Sequence, residues 1–543
     1  MHAGWRIYLI WACFAARLAF YAAMLPLWEG FDEWAHFAAI RAMAASGGRL
    51  APRDAPVPRD VAESLRLAPV AWELRNYPPP AVTQDAFWAM PAAERQRREA
   101  AFRDMPAAWR TESGPKLLTA YEALQPPLYY WLMAPVVRLL DGRTLAAQVL
   151  AIRWLSALLG SLAIPLVYLV ARAVFADMRT ALGCAAVAAL MPEWALDVAR
   201  VGNDCLSVVL FSLLLWLGLK LVEDGPRMRC AAALGMALGM GLLTKAWFLT
   251  AAPAAAVLFV WLAQGGRMAS AARAGAAAAA IAVAISGWWY ARNLVTTGTL
   301  SGLSEAAMLR HAGAGEMAAG ALRVPWPRAI DSILLSHLYF GGWSSLEVRS
   351  WMYHFFYAVM LVAAIGLWRT LRMPRRAALG WLLAVYLAFW AGQLYNVVLI
   401  WLSKGVPTSM GWYLYAVVAA EVVLAVAGWR AILPEKAGHW PAAAGAVLFG
   451  LFDLYTMHAL AIPYYTGMIR HKVSGPLGAL HAADFHSVGF GEALRRLTVF
   501  KGGVATEQVL LALWSAYLLG TAALMAAGAR GGWRKILRWR IRA

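Results

Sequence analysis

The chain is poor in charge and in cysteine for its length. Charged side chains make up only 15% of its 543 residues, whereas 62% of the residues are hydrophobic and the mean hydropathy is +0.56. A soluble core could not enclose so much apolar surface, so this composition excludes an ordinary soluble protein and indicates an integral membrane protein. The 4 cysteines lie in apolar stretches without CxxC spacing. The sequence therefore predicts neither a disulfide framework nor a zinc site.

Long apolar runs predict an all-α, polytopic membrane protein with about twelve transmembrane helices. The first run, Trp5 to Leu27, has the look of a secretory signal, but no clean cleavage site precedes the acidic residues that follow it. We therefore expect it to remain as the first helix. The other runs lie at roughly 145–172, 180–197, 205–222, 230–243, 247–264, 272–290, 352–371, 378–400, 411–429, 440–462 and 508–528.

Lysine and arginine are distributed unevenly between the segments that join these runs. With the N-terminus inside, the inward segments are 172–179, 220–229, 264–273, 368–376, 429–436 and 529–543. They hold 19 basic residues against 4 acids, whereas the short outward segments hold 3 basic residues. This asymmetry follows the positive-inside rule and predicts that both termini are cytoplasmic. It also explains the net charge of +19 through membrane lipids, without nucleic acid as a partner.

Three outward segments are long, and we expect them to be extracytoplasmic loops of a single membrane-embedded domain. They are 28–144, 291–351 and 463–507, within a domain that occupies 1–543. The first contains 12 basic and 13 acidic residues between Trp28 and Gln125, which is typical of a solvated loop with short helices. Its apolar piece, Pro126 to Leu140, is too short to cross and is expected to form a juxtamembrane or re-entrant helix. No sustained repeat is evident, which argues against a transporter built from similar halves.

An acidic motif, FDEWAHF, directly follows the first apolar run. Adjacent carboxylates at a membrane exit are expensive to desolvate, and such pairs often act as a base or a ligand. On a helix that begins here, Asp32, Glu33 and His36 could face one direction. The alternative is that Asp32 only caps the helix, with Glu33 solvated and His36 beside them. A metal site is less favoured, because the second histidine of an HExxH motif is missing.

A second cluster, YEALQPPLYYWLMAP, places polar tips beside an apolar wall. We take Tyr121, Glu122, Gln125 and Tyr129 as candidate substrate-binding residues, although interfacial anchoring alone would explain the tyrosines. Further candidates lie at the outward ends of later helices, and each could simply extend its charged or polar tip to the interface. Several of them converging on one face would form a phosphate site. These further candidates are Asn203, Asp204, Lys245, Arg292 and His337.

In these motifs the chain resembles the DUF2142 membrane proteins and, more distantly, the GT-C glycosyltransferases. The residues that carry the resemblance are FDEWAHF, YEALQPPLYY, RWLSALLGSLAIPLVYLVAR, MPEWALDVARVGND and LLTK, mostly in the first half of the chain. The resemblance implies a GT-C-like helical bundle in a bacterial inner membrane, with its active site facing outward. It also implies a sugar donor linked to a polyprenyl phosphate. The chain departs from the family pattern at Gly30-Phe31, where a proline is usual, and at Trp412, where relatives carry an arginine.

These features lead to the hypothesis of an inverting glycosyltransferase of the cell envelope. Asp32 or Glu33 would accept the acceptor proton, and Lys245 or Arg292 would stabilise the departing polyprenyl phosphate. The acceptor would be a lipid, a glycan or a protein. The sequence indicates no definite cofactor, and a divalent metal stays open, although the count of candidate ligands does not support one. The competing hypotheses are a polytopic transporter and a non-catalytic envelope assembly protein. A transporter should place ionisable residues near the bilayer midplane; in the first helix Arg17 is the only clear mid-span charge, and it could pair with an acid of the bundle.

Overall fold

The chain folds into helices throughout the part that can be described. The computed structural model describes residues 4–52, 55–76, 81–264, 266–370, 377–434 and 438–529. Of the described residues, 75% are helical, and β pairing among them is limited to isolated bridges. The expected all-α fold is therefore confirmed. Part of the inward basic charge, at 371–376, 435–436 and 530–543, lies outside the described residues.

The α-helices are joined by connections of varied length, which include segments of 3₁₀ helix and a π-helical segment, Thr456–Ala461. The first are α1 Gly4–Met24, α2 Glu33–Ala45, α3 Arg59–Leu67, α4 Gln84–Ala89, α5 Ala92–Arg103, α6 Leu128–Leu139, α7 Leu145–Ser161 and α8 Ala163–Val174. The next are α9 Met178–Leu190, α10 Pro192–Val198, α11 Asp204–Asp224, α12 Met228–Leu242, α13 Ala251–Leu262, α14 Met268–Thr297, α15 Ser304–Met308, α16 Ala314–Arg323 and α17 Trp326–Leu338. The last are α18 Ser350–Thr370, α19 Ala377–Lys404, α20 Val418–Ile432, α21 Trp440–Tyr455, α22 Ile462–Tyr465, α23 Ala482–Val488, α24 Phe490–Arg496 and α25 Glu507–Ala529.

Nine helical segments of the described chain are long and apolar enough to cross a membrane. They are Trp5–Met24, Leu145–Val174, Asp204–Asp224, Met268–Thr297, Ser350–Thr370, Ala377–Lys404, Gly411–Ile432, Trp440–Tyr465 and Glu507–Ala526. The pair α9 and α10, bent by 67°, would add a broken span or a re-entrant loop. The apolar helices Met228–Leu242 and Ala246–Leu262 are shorter. A multi-pass membrane protein is thus confirmed, whereas the count of twelve spans and the orientation of the termini stay predictions.

One ion pair lies deep among these helices. Arg17 of α1 pairs with Asp453 of α21 at 2.5 Å, and the hydroxyls of Tyr21 and Tyr517 donate to the same carboxylate at 2.5 and 2.8 Å. All four side chains are buried. The expected acid partner of Arg17 is therefore confirmed. A buried pair with its remaining hydrogen bonds satisfied serves to join α1, α21 and α25.

The C-terminal end of α1 is held by two cations from distant parts of the chain. Arg153 of α7 donates to three carbonyls between residues 22 and 26 at 2.7 to 3.2 Å. Lys501, which precedes α25, donates to the carbonyls of Ala23 and Met24 at 2.5 and 2.8 Å. The last carbonyls of a helix lack partners within the helix and carry its negative end. These two cations therefore fix the point from which the chain enters the acidic motif.

Side-chain contacts join the long outward segments to one another. Glu29 of the first segment accepts hydrogen bonds from the amide and the hydroxyl of Ser344 in the second, both at 2.9 Å. Asp85 of the first segment accepts from the backbone amide of His471 in the third at 2.7 Å and from the hydroxyl of Tyr464 at 2.8 Å. A helix of 12 residues, α6, forms within the stretch 126–140, whereas its juxtamembrane or re-entrant placement stays a prediction.

Candidate functional site

Asp32 lies at the start of α2 in an unusual backbone conformation. Its φ is 53° and its side chain makes no capping hydrogen bond to the helix. Oδ1 instead accepts a hydrogen bond of 2.6 Å from the hydroxyl of Tyr121. The residue is half-buried. Burial raises the pKa of Asp32 above its usual value, although the hydrogen bond from Tyr121 and the charges of Arg200 and Lys245 act against this rise.

Glu33 points away from Asp32 into a closed ion pair. Its two carboxylate oxygens accept from Nε and Nη2 of Arg153, both at 2.6 Å. Oε1 also accepts from the backbone amide of Val201 at 3.0 Å, and the residue is 0% exposed. The side chains of the two neighbouring acids therefore diverge. Glu33 is the first residue of α2, whereas Asp32 precedes the helix and has a left-handed backbone. The ion pair between Glu33 and Arg153 joins α2 to α7. The carboxylate of Glu33 is buried in this pair and does not lie on the exposed side of Asp32.

His36 and Glu122 form a buried layer behind Asp32. Nδ1 of His36 lies 2.9 Å from the hydroxyl of Tyr130 and 3.6 Å from Oε2 of Glu122. Burial, followed by the nearby positive charges of Arg200 and Lys245, lowers the pKa of His36 well below its usual value, so the imidazole is neutral. Burial and the charge of Asp32 raise the pKa of Glu122 to about 8. At neutral pH this carboxyl therefore keeps its proton and can donate a hydrogen bond.

Two cations share one carboxylate beside this layer. Nη2 of Arg200 lies 2.5 Å from Oδ2 of Asp204 and 2.8 Å from Oδ1 of Asp197, and Lys245 donates to Oδ1 of Asp204. Nη1 of Arg200 donates to the carbonyl of Phe31 at 2.7 Å, which fixes the cation to the residue before Asp32. Asp197 lies near the end of α10, Arg200 in the short connection that follows, and Asp204 is the first residue of α11, so the three side chains meet where the chain passes from α10 to α11.

The structure thus brings six of the predicted residues into one cluster. They are Asp32, His36, Tyr121, Glu122, Asp204 and Lys245. Sequence reasoning did not assign Arg200 to the site, because an arginine at a helix end normally extends to the lipid interface. Its spacing of three residues from Asp197 and four from Asp204 was the available signal.

Other predicted residues lie around the cluster in structural contacts. The hydroxyl of Tyr129 lies 2.8 Å from Oγ of Ser156 and accepts from the amide of Gly202 at 3.1 Å. Asn203 is buried, and its amide donates to the carbonyl of Thr244 at 3.0 Å. Gln125 is half-buried at the end of the turn that carries Glu122. These residues shape the backbone on which the cluster is built.

Two predicted residues have other partners in the structure. Arg292 lies on α14 with its guanidinium 5.0 Å from the centre of the Trp289 ring. Nε2 of His337 pairs with Glu421 at 2.7 Å, and its Nδ1 lies 3.1 Å from the carbonyl of Gly411. Arg200 and Lys245 are the cations that act most strongly against the rise in the pKa of Asp32.

The described residues contain no group of three or more His, Cys, Asp or Glu side chains that could hold a metal ion. Within the cluster, Asp32 accepts from Tyr121, and Asp204 is paired with Arg200 and Lys245. The divalent metal that the sequence left open stays untested.

One family model matches part of the chain. Residues 124–290 match the model described as dolichyl-phosphate-mannose-protein mannosyltransferase. The matched range contains Arg200, Asp204 and Lys245, whereas Asp32 lies outside it. No curated protein shows significant similarity to this chain. The resemblance to DUF2142 stays a prediction.

Several solved structures resemble the fold at low sequence identity. ArnT from Cupriavidus metallidurans bound to undecaprenyl phosphate is 15% identical, with a TM-score of 0.48 over 98% of this chain and 78% of that chain. The apo state of the same protein gives 15% identity and a TM-score of 0.46, over 97% and 78% of the two chains. An oligosaccharyltransferase from Archaeoglobus fulgidus gives 13% identity and a TM-score of 0.42, over 96% and 55%. At these TM-scores the likeness carries no conclusion about substrates, whereas residues 124–290 resemble a mannosyltransferase family in sequence.

Proposed function

We propose that the protein is an integral membrane glycosyltransferase that moves a sugar from a polyprenyl-phosphate donor to an acceptor at the outer face of a bacterial inner membrane. One observation carries the proposal: the half-buried carboxylate of Asp32, held by Tyr121, lies within the field of the two cations Arg200 and Lys245. The family match of residues 124–290, which include both cations, supports the same class of reaction.

Asp32 is the general base of this reaction. An acceptor hydroxyl attacks the anomeric carbon of the sugar, a new C–O bond forms, and the bond from that carbon to the phosphate oxygen breaks. The hydroxyl proton passes to Asp32, and the bonding pair leaves with the polyprenyl phosphate, so the configuration at the carbon inverts. A raised pKa makes Asp32 a stronger base than a solvated aspartate. The hydrogen bond from Tyr121 to Oδ1 leaves Oδ2 to face the acceptor.

Lys245 and Arg200 stabilise the leaving phosphate. The phosphate gains negative charge as the bond breaks, and preorganised cations in a dry site stabilise that charge most effectively. Lys245 has three N–H donors, of which Asp204 takes one. Arg200 is bound on several sides by Asp197, Asp204 and the carbonyl of Phe31, so it holds the geometry and contributes its charge. The carboxylate of Asp204 thus orients the ammonium group of Lys245, as a carboxylate behind a metal-binding histidine orients that histidine.

Lipid mass spectrometry of a deletion strain tests the proposal. A transferase predicts that the polyprenyl-phosphate sugar accumulates in the deletion strain and that expression of the wild-type protein removes it. The Asp32→Asn variant should leave the donor in place, because a general base contributes about 10²- to 10⁴-fold to the rate. Asparagine tolerates a left-handed backbone as well as aspartate does, so the variant should fold.

The matched control is Asp104→Asn, which changes an exposed acid of the same outward segment. It should remove the donor as the wild-type protein does. Equal membrane levels of all variants, measured by immunoblotting, are required. Absence of any accumulated polyprenyl-phosphate sugar in the deletion strain would contradict the transferase and favour a transporter or an assembly protein. Full donor removal by Asp32→Asn would contradict the role of Asp32 as base.

A further inference from the structure

Aromatic rings form a continuous wall beside Asp32. The ring of Phe31 stacks on Trp412, with centroids 3.5 Å apart and an angle of 9° between the planes. Trp343 meets both rings edge-on, with centroids 5.2 Å from Phe31 and 5.6 Å from Trp412. Tyr413 continues the wall and lies 4.9 Å from Nζ of Lys245. The wall therefore runs from the residue before the base to the cation of the phosphate site.

The loop that carries Trp343 is fixed by two buried carboxylates. Glu29 binds Ser344, as described above, and Glu193 accepts from the amides of Phe340 and Gly341 at 3.0 and 2.9 Å. The backbone is left-handed at Gly341 and at Gly342, with φ of 70° and 77°. A Cβ at position 342 would lie 2.8 Å from Oε1 of Glu29, so the tight approach requires glycine. The indole of Trp343 is consequently placed before any ligand arrives.

The members of the wall differ in exposure. Phe31 and Trp412 are 1% and 2% exposed, so they support the wall from behind. Trp343 and Tyr413 are half-buried, as is Asp32. Ligand sites commonly combine apolar or aromatic surfaces with a few convergent polar groups. Here Trp343 packs against Phe31, the residue that precedes the proposed base, and the ring of Tyr413 lies beside Nζ of Lys245.

We infer that Trp343 is a positioning residue for the donor, and that the donor carries a neutral sugar ring whose C–H face packs on the indole. The inference rests on the proposed transferase function. A hexose presents one face of polarised C–H groups, which suits the negative face of an aromatic ring. Its hydroxyl edge would face Asp32 and Tyr121, and its phosphate would face Lys245. A rigid ring held by a fixed loop orients the anomeric carbon with little loss of entropy.

Binding of lipid probes to the purified full chain in nanodiscs tests the inference. The probes are undecaprenyl phosphate, undecaprenyl-phosphate mannose and undecaprenyl-phosphate glucose, and Kd is measured for each. Trp343→Ala should weaken binding of at least one sugar lipid about three- to tenfold, since an aromatic contact contributes on this scale. Binding of undecaprenyl phosphate should stay within about twofold of wild type, because the variant leaves the phosphate site intact. Trp343→Phe should restore most of the affinity for the sugar lipid.

The matched control is Trp351→Ala, which removes an indole that is 61% exposed at the start of α18. It should bind all three lipids as the wild-type protein does. Equal Kd values of wild type and Trp343→Ala for both sugar lipids would overturn the inference, and so would an equal loss of affinity for the sugar lipids and undecaprenyl phosphate. Failure of the wild-type protein to bind undecaprenyl phosphate at all would instead overturn the proposed function on which the inference rests.

Discussion

Replacing Glu33 with glutamine is expected to destabilise the fold while leaving the carboxylate of Asp32 in place. Both oxygens of Glu33 lie 2.6 Å from the guanidinium of Arg153, and neither side chain is more than 1% exposed. The amide cannot neutralise the arginine, which stays charged among backbone carbonyls. Breaking a buried pair by removing one partner costs about 3–5 kcal/mol. We expect a value near the lower end, because the glutamine oxygen can still accept one hydrogen bond.

A double-mutant cycle separates the pair from its surroundings. Glu33→Leu and Arg153→Met should each be destabilising, whereas the double variant should recover part of the loss, because apolar replacement of both partners removes the uncompensated charge. Recovery should be incomplete, since the carbonyls at the end of α1 lose their donor. The expected coupling is about 2 kcal/mol or more. It is measured by denaturant titration of the purified protein in detergent micelles.

The control is Glu63→Gln, which removes a half-exposed acid paired with Arg66 three residues away. It should change the free energy of unfolding by less than about 0.5 kcal/mol. A coupling near zero between Glu33 and Arg153 would refute the structural role of the pair. Wild-type stability of Glu33→Gln combined with complete loss of transfer would move the base from Asp32 to Glu33.

Three further predictions concern the phosphate site, the pH dependence and the topology. Lys245→Gln should weaken binding of undecaprenyl phosphate about tenfold or more, because a charge-assisted hydrogen bond contributes about 1.5–3 kcal/mol. Arg292→Gln should leave this Kd unchanged. Equal effects of the two substitutions would mean that Lys245 is only an interfacial anchor. The rate of transfer should fall above about pH 8, because Glu122 then loses its proton and places a negative charge beside Asp32 and the phosphate. Glu122→Gln should remove this fall from the pH–rate profile. In a background without the 4 native cysteines, a cysteine at Val473 should react with impermeant maleimide from outside and one at Arg229 only from inside; the reverse would refute the threading.

The sequence was sufficient to predict the helical, multi-pass architecture, because apolar length is a local property of the chain. It also indicated FDEWAHF and YEALQPPLYY as candidate site segments, and the structure joins these two segments through the hydrogen bond between Tyr121 and Asp32. A charged residue buried in a membrane protein must have a partner. This rule was enough to expect an acid for Arg17, although it could not name Asp453, which is 436 positions away.

The different side-chain partners of Asp32 and Glu33 could not be predicted from the sequence. Helical spacing places both acids on neighbouring faces, but the helix begins at Glu33 and the φ of Asp32 is positive, so the side chains diverge. The two side chains then find different partners: Glu33 binds Arg153, which is 120 positions away, and Asp32 binds Tyr121, which is 89 positions away. The contact of Arg200 with the carbonyl of Phe31 also joins positions that are 169 residues apart. Long-range packing, rather than local propensity, decides these placements.

The left-handed backbone of Asp32 lowers the stability of the fold at the residue to which we assign the role of base. A non-glycine residue held in this conformation costs on the order of 1 kcal/mol, and glycine would relieve that strain. The side chain does not offset this cost by capping the helix, since it makes no capping hydrogen bond. Burial raises the pKa of Asp32, so keeping its carboxylate charged costs further free energy. A search for more stable variants would therefore select against aspartate at position 32. The proposed role of Asp32 as the general base would account for an aspartate at this position, at the expense of a more stable protein.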